Sequence, residues 1–274
     1  MRRTLPALAL CVALLSSSAA VQAAPEPPPG TTFSYGGHPR QTLTVYGDGG
    51  PALLILHGGS WVRDTDWSGW ARWFAGQGFT VYDTDYRLAT DAAWPAQRDD
   101  VLAALRWVER RSGERPLVLG SSAGGHLALS AGAYGAGGTR VRGVVALSPV
   151  ASPYRAWADG GRPAASSAQR GLRRSAQLLA GCSPDRGGQR CWNRWADLAA
   201  TSHASGADDA PMLLAHSAGD FVPVAHSDEL AGAQSRLGLT DVTVRTVPGS
   251  GHGGPLLRAP AMAQNVLRWI REHA

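Results

Sequence analysis

From about residue 40 to the C-terminus, short apolar runs of strand type alternate with segments of helical periodicity, and this alternation narrows the accessible folds more than any other feature. Residues 52–56 (Ala-Leu-Leu-Ile-Leu) form a continuous apolar run, the pattern of a strand buried on both faces. Residues 42–46, 79–82, 116–119, 141–147, 212–215 and 242–247 read as further strands. Between and after them, residues 67–77, 95–111, 123–133, 226–237 and 262–272 read as helices. Val101, Leu105 and Val108 in the second helix, and Val266 and Ile270 in the last, give each one apolar face. Strands that alternate with helices predict an α/β fold: a mostly parallel, twisted sheet with helices on both faces. Residues 151 to about 210 break the rhythm. They are rich in Ser, Arg, Gly and Trp, show no clear strand, and read as a cap-like insertion over the sheet's edge.

The 274 residues suit one large core better than two. Met1-Arg2-Arg3, the apolar run from Leu5 to Leu15 and the small-x-small pattern Val21-Gln22-Ala23 read as a secretory signal peptide over residues 1–23. Residues 24–40 read as an extended lead-in and residues 41–274 as one domain. The apolar run is too short to span a bilayer of about 30 Å, and no later stretch predicts stable membrane insertion. Export implies a secreted or periplasmic location. It also predicts that Cys182 and Cys191, the two cysteines left in the mature chain, pair as a disulfide. On the chain-entropy model, closing so short a loop stabilises by roughly 2–3 kcal/mol.

Charge excludes several chemistries. Loss of Arg2 and Arg3 lowers the formal charge from +5 to +3, and no basic run suggests nucleic acid. All 26 basic residues are arginine, which rules out a Schiff-base lysine, a P-loop lysine and a Ser-x-x-Lys pair. No histidine pair accompanies the cysteines at metal-ligand spacing, so no metal is expected. Gly249 to Gly254 fits G-x-G-x-x-G, but it lies near the C-terminus without a βαβ unit beyond it. No organic cofactor is expected either.

The chemistry concentrates in loops after strands. Gly120-Ser121-Ser122-Ala123-Gly124 follows one predicted strand and opens a helix. A serine on such a strained turn is exposed at a helix N-terminus, where N–H groups and the helix dipole favour developing negative charge. Ser122 is the candidate nucleophile; Ser121 is off the central position. His57-Gly58-Gly59-Ser60-Trp61 follows the buried strand, and its glycines let backbone approach a substrate closely. The expected oxyanion donors are the N–H groups of Gly59, Ser60 and Ala123. Gly58 shapes the turn and Trp61 is expected to wall the acyl pocket. A serine needs a base and the base an orienting acid. Asp220 and His252 each sit in a loop past the carboxyl end of a strand, where open α/β sheets build their sites. Alternatives are weaker: Asp208 and Asp209 precede a strand, Asp228 lies in a helix, His216 ends a strand and His226 starts a helix. Trp157, Trp192 and Trp195 either line the leaving-group side or pack the insertion.

Taken together, His57-Gly58-Gly59, Asp85-Tyr86-Arg87-Leu88, Trp94-Pro95-Ala96-Gln97 with Asp100, Gly120 to Gly124, Asp220 and Gly251-His252 resemble the esterase/lipase branch of the α/β hydrolases that carries an HGG oxyanion loop. That branch includes hormone-sensitive-lipase-like and feruloyl-esterase-like bacterial enzymes. The resemblance implies an α/β-hydrolase fold and a Ser122–His252–Asp220 triad. It also implies cleavage of short-chain or aryl esters, whether small molecules or polysaccharide-linked. Ser60 replaces the third glycine of the common loop. His57-Gly58-Gly59-Ser60-Trp61 also resembles the HGG-x-Trp loop of kynurenine formamidases, so an arylformamidase or amidase is the second reading. A catalytically silent binding protein on the same scaffold is the third.

Overall fold

The computed structural model of the protein describes residues 30–274; the predicted signal peptide lies outside the described residues. Five of the strands follow runs of consecutive buried side chains: β3 (Ala52–Leu56), β5 (Leu117–Ser121), β6 (Val144–Leu147), β7 (Met212–Ser217) and, in part, β4 (Thr80–Thr84). With β1 (Thr31–Ser34), β2 (Thr42–Tyr46) and β8 (Val242–Val247) they make one eight-stranded sheet in the order β1-β2-β4-β3-β5-β6-β7-β8. The pairs β1/β2 and β2/β4 are antiparallel, and all others are parallel.

Within the segment read as an extended lead-in, residues 31–34 take up regular structure. Thr31–Ser34 is an antiparallel edge strand, with Thr31 opposite Val45 and Ser34 opposite Thr42. Three of its four residues are polar and exposed, and only Phe33 is partly buried against the core, so no apolar run marks it. Backbone pairing to an existing edge makes it a strand.

Alternate side chains of each central strand feed two cores. Leu54, Leu56, Val118, Val144 and Leu214 pack under α2 (Ala96–Ser112) and α3 (Ala123–Ala133). Leu53, Ile55, Leu119, Val145 and Leu213 pack under α1 (Ser68–Ala75) and α8 (Met262–Glu272). All residues of α3 are buried, which its small Gly, Ala and Ser side chains permit. The remaining helix beside the sheet is α7 (Ala225–Arg236).

The insertion is helical: α4 (Pro153–Asp159), α5 (Ser167–Ala180) and α6 (Gly188–Leu198). A capping box between Ser166 and Gln169 starts α5, and Gly181 in the left-handed region ends it. Cys182 and Cys191 are placed as a bonded pair joining the end of α5 to α6. Trp195 and Leu198 enter the α3 side of the core. Asp197 anchors α6 to the domain through Trp94 Nε1 (2.6 Å) and Arg98 Nη1 (2.8 Å).

Two buried histidines lie where the insertion and its flanks meet the sheet domain. His126 Nε2–H donates to the Leu198 carbonyl (2.7 Å) and its Nδ1 accepts from Trp61 Nε1 (3.2 Å). His226 Nδ1 accepts from the Ser152 N–H (3.3 Å). Burial pushes the two imidazoles down to about 4 and about 3. Both are therefore neutral in the folded protein near neutrality, whereas in the unfolded chain they take up protons below about pH 6.5. Their contribution to stability is present above that value and is lost as pH falls toward about 4. Asp83, whose carboxyl burial pushes up to about 6, acts in the opposite direction over part of that window. Two groups outweigh one, so urea unfolding should show a net loss of about 2 kcal/mol or more between pH 7 and pH 4.5. An unchanged midpoint over that range would contradict the buried neutral pair.

Candidate active site

Ser122 sits between β5 and α3 with φ 54° and ψ −112°, a conformation that costs energy for any residue with a Cβ. The surrounding contacts enforce it. The Ser122 N–H donates to Leu147 O (2.8 Å), and its carbonyl accepts from the His126 N–H (3.0 Å). A Cβ on Gly124 would lie 2.2 Å from Leu56 O and 2.3 Å from His57 O, and one on Gly120 would lie 2.2 Å from Gly124 O. Only hydrogen fits at these two positions, so α3 can press its first turn onto the end of β3.

Against that turn lies the loop after β3. Gly59, Ser60 and Trp61 all have positive φ, at 106°, 54° and 59°. The turn closes where the N–H groups of Val62 and Arg63 donate to Gly59 O (3.1 and 3.2 Å). The His57 ring fixes the loop from behind. It stacks on Tyr86 with centroids 4.3 Å apart, its Nδ1 lies 2.7 Å from Gly58 O, and its Nε2 lies 3.1 Å from Asp85 Oδ1. The Tyr86 hydroxyl donates to His57 O (2.9 Å). Within the described residues, the loop and side-chain hydrogen bonds leave the N–H groups of Gly59 and Ser60 without a partner. The Ala123 N–H, at the first position of α3, has no intrahelical acceptor.

The His252 Nε2 accepts from the Ser122 hydroxyl (2.8 Å), and its Nδ1 lies 2.8 Å from Asp220 Oδ1. The Asp220 side chain is fully buried. Its Oδ1 also accepts from the Val222 N–H (3.0 Å) and its Oδ2 from the Ser148 hydroxyl (2.5 Å). Phe221 packs against the His252 ring at 4.2 Å between centroids. The arrangement can move a proton from Ser122 to His252 and hold the resulting imidazolium beside a carboxylate.

A row of serines positions the histidine loop, and no motif announced it. The Ser217 hydroxyl donates to Gly251 O (2.5 Å), the Gly253 N–H donates to Ser148 Oγ (2.8 Å), and the Gly254 N–H donates to Ser121 Oγ (3.2 Å). Ser121 and Ser217 end strands β5 and β7, and Ser148 directly follows β6, which lies between them in the sheet. Ser121, off the nucleophile position, thus has a polar task of its own.

The serine opens into a cleft of about 300 Å³ bordered by Gly58, Gly59 and Ser60 on one side and Phe221, His252 and Pro255 on another. Trp67, Trp70, Arg63, Asp66 and Arg258 also line it. Those five were not singled out in the sequence, because their segments carry no recognisable chemical motif. Trp61 needs correction. Its side chain is fully buried and packs edge-on to His126, so it does not wall the cleft. Trp61 has positive φ and its ring lies in the core, while Gly59 and Ser60 before it line the cleft. Trp157, Trp192 and Trp195 do not line the cleft either; they cluster around Tyr154 within the insertion. His216 and His226 are buried away from Ser122, on Ser227 Oγ and the Ser152 N–H. Asp209 is taken up by Ser205 and Gln234.

The pattern of a family described as alpha/beta hydrolase fold matches residues 53–254. Esterase LipC of Mycobacterium tuberculosis is 35% identical over 113 residues, covering 36% of this chain and 28% of its own. Versiconal hemiacetal acetate esterase of Aspergillus parasiticus is 34% identical over 107 residues, covering 36% of this chain and 34% of its own. The chain thus spans about a third of the length of these curated relatives. Among solved structures, esterase B from Lactobacillus rhamnosis superposes with a TM-score of 0.70 at 22% identity, covering 90% of this chain and 86% of the other, a likeness of fold.

Replacing Ser148 by alanine removes the donor to Asp220 Oδ2 and the acceptor for the Gly253 N–H without adding bulk. The expected result is a loss of about 1–3 kcal/mol in unfolding free energy, together with slower labelling of Ser122 by a fluorophosphonate, followed by mass spectrometry. Labelling at the parent rate would show that these hydrogen bonds do not set the position of His252.

Proposed function

The chain belongs to the alpha/beta hydrolase fold family, and from that premise we propose that it is an exported serine hydrolase that cleaves carboxylic esters. The observation that carries this reading is the continuous relay from the Ser122 hydroxyl through His252 to buried Asp220, in a cleft also lined by Gly59 and Ser60, whose N–H groups have no partner among the described residues. His252 takes the Ser122 proton as Oγ attacks the ester carbonyl. The N–H groups of Gly59, Ser60 and Ala123 hold the tetrahedral oxyanion. Asp220 orients His252 and stabilises its charged form. His252 returns the proton to the departing alcohol, and water cleaves the acyl-enzyme by the same route.

Several features support short or aryl esters over long acyl chains. The cleft is at the small end for a ligand site, where roughly 300–1,000 Å³ is usual. Its wall carries Arg63, Asp66 and Arg258, against which a long alkyl chain would desolvate charge. Both small-molecule and polysaccharide-linked esters fit an open cleft. The names of LipC and the versiconal acetate enzyme describe ester cleavage in those proteins.

Hydrolysis of 4-nitrophenyl acetate, butyrate and octanoate by the mature chain tests the proposal. Activity is expected to fall with chain length, and Ser122→Ala is expected to lower turnover by about 10⁴-fold or more. Retained activity in Ser122→Ala would overturn the assignment. An N-formyl aryl amide assayed beside the esters tests the formamidase reading, and failure of Ser122 to react with any acylating probe would favour a binding role.

Export also bears on Cys182 and Cys191. Residues 1–23 serve as the signal peptide in this reading, and the mature chain matures in an oxidising compartment where the pair is a disulfide. Treatment with a reductant should then lower unfolding stability by roughly 2–3 kcal/mol, measured in urea with and without the reductant. No change in midpoint would argue for free thiols.

A further inference from the structure

We infer that the preferred ester carries a carboxylate, which Arg63 and Arg258 receive at the rim of the cleft; this rests on the esterase reading above. Both arginines line the same cleft as Ser122 and His252, and both are exposed. Neither forms an ion pair or side-chain hydrogen bond with another of the described residues. Nearby arginines are engaged: Arg40 reaches Asp64, Asp85 and Asp91, and Arg72 reaches Ser68 Oγ. The one acid on the cleft wall, Asp66, caps the Ser68 N–H (2.9 Å), and that bond holds its carboxyl below the usual range. The buried Asp220 charge is already occupied by His252, Ser148 and Val222. The cleft therefore presents two uncommitted cations and one committed anion.

Both stems stand on fixed backbone. The Arg63 N–H is bonded to Gly59 O, and its Cγ lies 2.9 Å from where a Cβ on Gly59 would sit. That places its stem against the glycine proposed to bind the oxyanion. Arg258 ends the 3₁₀ turn Gly254–Arg258, which starts two residues after His252. Buried Leu256 and Leu257 pin that turn, and the bond from the Gly254 N–H to Ser121 Oγ anchors its start. Anchored backbone at both sites lowers the ordering needed when a ligand arrives. A planar guanidinium fork matches a carboxylate and holds its charge at every working pH. A half-ester of a dicarboxylic acid puts the carboxylate on the acyl side, and an acylated uronic or aromatic acid puts it on the alcohol side.

Two matched pairs test this and separate the sides. On the alcohol side, 4-acetoxybenzoate is compared with neutral 4-acetoxybenzamide. On the acyl side, the 4-nitrophenyl half-ester of adipic acid is compared with its neutral half-amide counterpart. In at least one pair, kcat/KM for the anion should exceed that for the neutral partner by about fivefold or more at low salt. The ratio should fall toward one at about 1 M salt, where the screening length is about 3 Å. Arg63→Gln or Arg258→Gln should lower the ratio several-fold, and Arg258→Lys should retain part of it. Using the ratio cancels any general loss of activity in the variants. Neutral partners that react as well as the anions in both pairs, or a ratio that neither glutamine variant moves, would overturn the inference alone. No Ser122-dependent hydrolysis of any of the four would overturn the esterase reading and this inference with it.

Discussion

The contact on which the site depends is the approach of Gly124 to the carbonyls of Leu56 and His57. A methyl group there would lie 2.2 and 2.3 Å from those oxygens, well inside any tolerable separation. Because the side chain is hydrogen, the first turn of α3 rests directly on the end of β3. That contact sets how far Ala123 lies from Gly59 and Ser60, and so whether three N–H groups from two segments can face one atom. It also leaves Ser122 no relaxed backbone: held to Leu147 O on one side and to the helix on the other, it stays at φ 54°. The strain is local, and burial of every residue of α3 opposes it.

Position on the histidine side is achieved differently. β8 is half exposed along its length, so the loop that follows it cannot be located by apolar packing on both faces. Hydrogen bonds from Ser217, Ser148 and Ser121 hold Gly251, Gly253 and Gly254 instead. A hydroxyl both donates and accepts, and Ser148 uses both capacities at once, giving its proton to Asp220 and receiving that of Gly253. One buried side chain thereby ties the acid to the histidine loop. Gly253 adopts φ 65°, and a Cβ there would lie 2.3 Å from Ser121 Oγ, so the glycine is required by the peg beside it.

Much of this was legible in the sequence because the signals are local. Buried parallel strands are short apolar runs, and the serine turn needs small residues at fixed offsets. Asp220 and His252 follow strands in chain order, so their convergence could be inferred without coordinates. What stayed hidden depends on contacts between distant segments. β1 has no apolar pattern and exists through pairing with β2. Trp61 looked like a pocket wall because it follows the glycine loop, yet it has positive φ and its ring lies in the core. The serine pegs come from different strands and are ordinary serines in the sequence. Arg63 and Arg258 are far apart in the chain, and only the fold brings both to one cleft.

The insertion illustrates how a segment can matter to a site it does not line. Its tryptophans cluster with Tyr154 away from the serine. The Leu198 carbonyl, at the end of α6, accepts from His126 Nε2–H, which fixes the tautomer and leaves Nδ1 free to accept from Trp61. Trp61 in turn is the last residue of the positive-φ run that contains Gly59 and Ser60. A chain of two hydrogen bonds thus runs from α6 to the loop, through a histidine on the same helix that Ser122 caps. Because burial holds His126 neutral, with its pKa down to about 4, the donor–acceptor order of that chain persists through the neutral range. The insertion acts on this geometry by buttressing the loop from behind.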